Sequence, residues 1–106
     1  MTNLLLIRVN CPDRDTADAI SKAVIAAKLA PCTNLTGPVT STYVWQGKIE
    51  TGEEWVLFIK AHEDAWTRIE QLVTALHPDD VPAILALPLA RVNAPYEQWL
   101  VDNSDV

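Results

Sequence analysis

A two-residue reversal, Gln46-Gly47, separates two runs rich in β-branched and aromatic residues, 40–45 and 48–60, and this spacing predicts a long antiparallel hairpin. Strands of that length outreach a four-stranded sheet, yet they keep Tyr43, Val44, Trp45, Ile49 and Trp55. An isolated hairpin tip is marginal in water, and an apolar one is usually a contact surface. The chain is therefore expected to associate with copies of itself through Tyr43, Trp45, Lys48, Ile49, Glu50 and Trp55. Lys48 and Glu50 read as a cross-strand pair or as contacts between copies.

The remaining elements fall around the hairpin. Residues 3–10 are apolar on both alternating faces, as in a central strand. Pro12 ends it, Asp13 and Asp15 supply capping oxygens, and residues 16–30 place Ala17, Ile20, Val24 and Ala27 on one helical face before Pro31 stops the helix. A strand interrupted at Gly37-Pro38 is expected over 32–46. Residues 63–76 carry Trp66, Ile69, Val73 and Leu76 at helical spacing, with His62 as a helix-start residue. A fourth strand over 83–90 contains Pro88, which places that part at an edge or bulge. Asn93 caps a short last helix with Pro95 in its first turn and Trp99 and Leu100 inward. Trp66 and Trp99 thus read as core. The order βαββαβ plus a helix predicts an α+β fold, the ferredoxin-like sandwich, as one domain over 1–106.

Composition narrows the function. With 106 residues, 49% hydrophobic and 21% charged, the chain supports one packed core. A net charge of −6 with eight scattered basic residues disfavours nucleic acid. No run approaches the ~20 apolar residues that span a bilayer, and no secretory leader is evident. A cytoplasmic location is expected, with Cys11 and Cys32 as thiols rather than a disulfide.

The chemistry-bearing stretch is "LHPDDVPAI", residues 76–84. One reading makes His77 a ligand for copper or zinc, with Asp79 or Asp80 as a carboxylate ligand or as the group that orients it. The other makes the stretch a helix end: His77 complements the negative end of the helix dipole, Pro78 blocks continuation, and the aspartates form a turn. Cys32, between Pro31 and Thr33, is either a soft ligand suited to Cu(I) or an inert buried thiol. Cys11 reads as packing at a strand end. Glu53 and Glu54 read as a solvated turn. No phosphate loop, nucleophile elbow or HExxH motif occurs, so no enzyme activity and no organic cofactor are expected.

"STYVWQGKIE" (41–50), "LAPCTNL" (29–35) and "HPDDVP" (77–82) together resemble the CutA divalent-cation tolerance family, over nearly the whole chain. The resemblance implies a tight homotrimer, similar in architecture to PII signalling proteins, with long hairpins pairing between subunits. It implies a role in metal tolerance with copper or another divalent ion as partner, and it matches Cys32 to the cysteine of the family motif. An alternative is a PII-like scaffold that binds a small molecule or protein in clefts between subunits, with metal incidental. Two departures stand out. The family motif usually reads His-Pro-Tyr-x-x-Pro-Glu, whereas Asp79 and Ala83 occupy the aromatic and acidic positions here, and Ala61 follows Lys60 where threonine is common.

Overall fold

The computed structural model describes residues 2–106. Its elements are β1 (Leu4–Cys11), α1 (Arg14–Ala26), β2 (Cys32–Trp45), β3 (Lys48–His62), α2 (Trp66–Leu76), β4 (Ile84–Pro88) and α3 (Ala94–Asp102), with one 3-10 turn, Glu63–Ala65, leading into α2. The strands form a single antiparallel sheet in the order β2-β3-β1-β4. This is the expected ferredoxin-like α+β arrangement, and Pro88 lies where its missing N–H costs least, on the edge strand β4.

Strand alternation sorts the side chains onto two faces. Ile7, Val9 and Cys11 of β1 stand with Leu57, Ile59 and Ala61 of β3 on the face covered by α1 and α2, which contribute Ala17, Ile20, Val24, Ile69 and Val73; all are buried. Trp66 packs against the edge of this core as expected. The opposite face carries Leu6, Arg8, Lys60, Phe58, Cys32, Leu85 and Leu87 by the same alternation. Among the described residues only α3 crosses it, near Leu4 and His62. Leu100 is buried there, but Trp99 is 44% exposed, which corrects its expected place in the core. A nine-residue helix lying on a sheet's end row buries one narrow stripe, and Trp99 instead stacks on Tyr96 with ring centroids 5.6 Å apart.

Helix α1 stops earlier than Pro31 demands. Lys28 takes a left-handed φ of 58°, its N–H donates to the Ile25 carbonyl (3.0 Å), and the Leu29 N–H reaches back to the Val24 carbonyl (3.2 Å). This reversal satisfies helix-end carbonyls and turns Leu29 and Ala30 into the core. At the other end Asp13 caps the helix, its carboxylate accepting the Thr16 N–H at 2.7 Å. His62 likewise starts the turn before α2, its Nδ1 accepting the Asp64 N–H at 3.1 Å.

Gln46 and Gly47 have φ of 50° and 78°, the left-handed pair that a tight hairpin turn of matching twist requires. β1 pairs with β3 only as far as Trp55, so the segments 39–45 and 48–54 stand beyond the sheet and pair there with each other. The molecule is correspondingly long, 45 × 26 × 22 Å. Its radius of gyration is 14.3 Å, against about 13 Å for a compact chain of this length. At the tip Val44 and Ile49 are 70% and 80% exposed.

Two hairpin expectations are corrected. Trp55 turns inward: its ring packs against Gly37, where an added Cβ would lie 2.6 Å from ring carbon, and the Arg14 guanidinium stacks over it at 5.5 Å. The ladder breaks between Thr36 and Val39 to make that room. Lys48 and Glu50 are not a cross-strand pair; they follow each other along β3, opposite Trp45 and Tyr43.

Candidate functional site

His77 closes α2, its N–H donating to the Val73 carbonyl at 2.8 Å, and Pro78 prevents another turn. Its buried ring is held from both sides. Nε2 lies 2.7 Å from the Asn10 carbonyl and Nδ1 lies 3.1 Å from the Asp79 N–H. A carbonyl only accepts and a backbone amide only donates, so Nε2 carries the proton and Nδ1 accepts. Neither nitrogen keeps a lone pair for a metal in this arrangement. His77 is a pin that ties the end of α2 to the end of β1.

The pin sets the course of the next six residues. The segment 78–83 passes the end of β1, where the Asn10 N–H donates to the Ala83 carbonyl at 3.2 Å, and faces the outer half of β2, residues 41–45. Between them lies a cleft of about 850 Å³. Its walls include Tyr43 and Trp45 from the hairpin, Asp79 and Asp80 from the segment, and Asn10 and Glu54 from the floor. Among the described residues no Lys or Arg lines it. The Arg8 Nε–H donates to Asn10 Oδ1 (3.2 Å) and the Asn10 amide donates to Glu54 Oε1 (3.4 Å), which orients the Glu54 carboxylate. The local field is negative: burial first, then Asp13, Asp79 and Glu54, push the Cys11 thiol up to about 11. Cys11 is a fully buried, inert thiol.

Cys32 lies elsewhere. It pairs with Lys60, which pairs with Leu6, four residues along β1 from the Asn10 carbonyl that holds His77. That spacing separates the two levels by about 13 Å, and Cys32 lies on the face away from α2. The fold therefore does not unite Cys32 with His77. The thiol instead meets the Lys60 ammonium, Nζ to Sγ 3.8 Å, and Tyr96, over whose ring Lys60 sits at 5.4 Å. An ammonium so close opposes a metal cation on the same sulfur. Among the described residues no three His, Cys, Asp or Glu side chains converge to hold a metal ion.

Sequence reasoning placed Asp79 and Asp80 at the site but missed Asn10, Glu54, Lys60 and Tyr96. Glu54 looked like a turn residue; only the β1–β3 register puts it beside Asn10 on one face.

The family described as CutA1 divalent ion tolerance protein matches residues 5–103. The chain is 38% identical over 104 residues to the divalent-cation tolerance protein CutA of Thermus thermophilus, covering 98% of this chain and 99% of that one. Among solved structures, CutA1 of Shewanella sp. SIB1 superposes with a TM-score of 0.95 at 39% identity, over 99% of this chain and 98% of the other. A protein described as the periplasmic divalent cation tolerance protein CutA of Archaeoglobus fulgidus gives 0.91 at 28% identity, over 94% and 97%. The fold and the cleft define a small ferredoxin-like protein with a projecting hairpin. The chain belongs to the CutA1 family.

Proposed function

We propose that this protein acts in divalent-cation tolerance as a homotrimer that binds the cation on carboxylates of the hairpin cleft. The observation that carries the reading is the cleft lined by Glu54, Asp79 and Asp80 with no basic side chain. Carboxylate oxygens suit divalent ions, and among first-row metals Cu²⁺ binds such sets most tightly. One chain supplies only part of a coordination shell; water or a neighbouring subunit supplies the rest. Exposed Val44 and Ile49 at the tip and Leu85 and Leu87 on the uncovered face support association, since covering each side chain contributes on the order of 1–2 kcal/mol. The role is non-enzymatic.

Calorimetric titration of Cu²⁺, Zn²⁺ and Mg²⁺ tests the site. Wild type is expected to bind in the order Cu²⁺ > Zn²⁺ > Mg²⁺, Asp79→Asn with Asp80→Asn to lose most of that affinity, and Cys32→Ser to retain it. Unchanged Cu²⁺ affinity in the double variant overturns the cleft as the site. Sedimentation equilibrium tests the trimer, and a folded monomer at micromolar concentration refutes it. Fractionation of cells tests the cytoplasmic location, which the two unbridged thiols favour. Among the described residues no helix is long and apolar enough to cross a membrane.

The size of the cleft favours a second reading. About 850 Å³ walled partly by Tyr43 and Trp45 exceeds what an ion needs and suits an organic ligand, as a PII-like scaffold would require. Specific binding of a small molecule with metal chelated would support that reading.

A further inference from the structure

Asn10 is the residue at which the parts of the cleft meet. Its backbone engages the wall that follows α2: the N–H donates to the Ala83 carbonyl at 3.2 Å, and the carbonyl accepts from His77 Nε2 at 2.7 Å. Its side chain engages the floor. The Arg8 Nε–H donates to Asn10 Oδ1 at 3.2 Å, and Asn10 Nδ2 donates to Glu54 Oε1 at 3.4 Å. A guanidinium only donates and a carboxylate only accepts, so a single orientation of the amide satisfies both neighbours. Turned over, the amide would set its NH₂ against the guanidinium and its oxygen against Glu54. Arg8 is placed by the sheet itself. It stands two residues from Asn10 on β1 and so on the same face, with its guanidinium 5.9 Å from the centre of the ring of Phe58, its cross-strand partner.

We infer that Arg8 and Asn10 are positioning residues that make Glu54 a one-oxygen ligand, and so give the cleft a preference for a compact six-coordinate divalent ion over Ca²⁺. The inference rests on the reading of the cleft as a cation site. With Oε1 held by the Asn10 amide, Oε2 is the oxygen left for a cation. Ca²⁺ takes roughly six to eight oxygens and draws on carboxylates that give both of theirs, whereas smaller octahedral ions are satisfied by single carboxylate oxygens together with water. Arg8 acts at one remove. It touches no ligand oxygen, but it holds Asn10 Oδ1 and thereby keeps that oxygen from serving as a further ligand for the larger ion. The amide also restrains the Glu54 side chain before any ion arrives, which lowers the ordering cost of binding. Neither Arg8 nor Asn10 has to be reached from solvent, so a second copy lying over this face leaves the relay in place.

The test is titration of Mn²⁺ and Ca²⁺ into the full chain freed of metal, in wild type, Asn10→Leu and Arg8→Met, with free Mn²⁺ read by electron paramagnetic resonance and Ca²⁺ by calorimetry. Both ions prefer oxygen to a thiol, so the readings report on the carboxylates. Wild type is expected to hold Mn²⁺ more tightly than Ca²⁺. Asn10→Leu keeps both backbone hydrogen bonds and is expected to weaken Mn²⁺ about tenfold, as loss of an orienting partner does, with Ca²⁺ unchanged or tighter. Arg8→Met should move the ratio of the two affinities the same way, by less. Circular dichroism shows whether each variant is folded. A purely structural role would weaken both ions alike, so an equal loss, or an unchanged ratio in either variant, overturns the inference. Asp79→Asn with Asp80→Asn separates the two levels. Loss of Mn²⁺ there with an unchanged ratio in Asn10→Leu leaves the cleft standing and removes the relay alone, whereas Mn²⁺ affinity retained in that double variant removes both.

Discussion

The two faces of the sheet are built from the same strands and have opposite fates. On one, Ile7, Val9, Leu57 and Ile59 are sealed beneath α1 and α2 with no accessible surface. On the other, Leu85 and Leu87 remain 45% and 54% exposed, interspersed with Arg8, Lys60 and Cys32. The two cysteines report the same division: Cys11 is shut in the core, whereas Cys32 shares a half-open corner with an ammonium and a phenol. The covered face stabilises each chain by itself. The uncovered face leaves apolar area and polar side chains open.

The sharpest way to break this comparison is to truncate one residue on each face. Ile59→Ala is expected to cost about 2–5 kcal/mol in denaturant unfolding whatever the protein concentration. Leu87→Ala should instead lower stability in proportion to the mass-action contribution of association, so its effect should shrink on dilution. A concentration-independent loss for Leu87→Ala would show that the second face matters within one chain only.

Gly37→Ala comes next. The new methyl meets the Trp55 ring, which is packed against the core and cannot easily yield, so a loss of about 1–3 kcal/mol is expected by thermal unfolding. Pairing it with Trp55→Leu should recover part of the loss, and strict additivity would contradict the clash. His77→Ala removes both ring hydrogen bonds and leaves the Asn10 carbonyl and the Asp79 N–H unpaired, for about 1–3 kcal/mol. A ligand role for His77 would instead show as lost metal affinity with stability intact.

The smallest effect lies at the exposed cap of α1. Asp13 is held below its usual range because its carboxylate accepts the Thr16 N–H. A depressed folded value means that this contribution is present above the unfolded carboxylate range, near 4, and is lost as pH falls through the folded value. Asp13→Ala should therefore flatten the acid limb of the stability profile slightly and leave its neutral-to-basic part parallel to that of wild type.

Much of the fold was legible because its signals are local. Alternating and helical periods placed every strand and helix to within a few residues, and Gln46-Gly47 located the hairpin turn. The misplacements share one cause. α1 ended early because burying Leu29 and Ala30 favoured a left-handed Lys28, and Trp55 turned inward because Gly37 lay opposite it. Each depends on residues brought together by the fold. The site was less legible for the same reason. His77 could be read as ligand or helix stop until its two ring nitrogens were seen to be engaged, and nothing near Cys32 in sequence announced Lys60 or Tyr96.

By itself, then, the sequence determined the order of elements, the protruding hairpin and the family, since periodicity, turn chemistry and short motifs act over a few neighbouring residues. The tertiary structure alone decided which face is sealed, that His77 pins a helix, that carboxylates of distant segments share one cleft and that a thiol meets an ammonium. Strand register and helix docking are non-local, and a shift of a single residue would have sent each of these side chains to the other face.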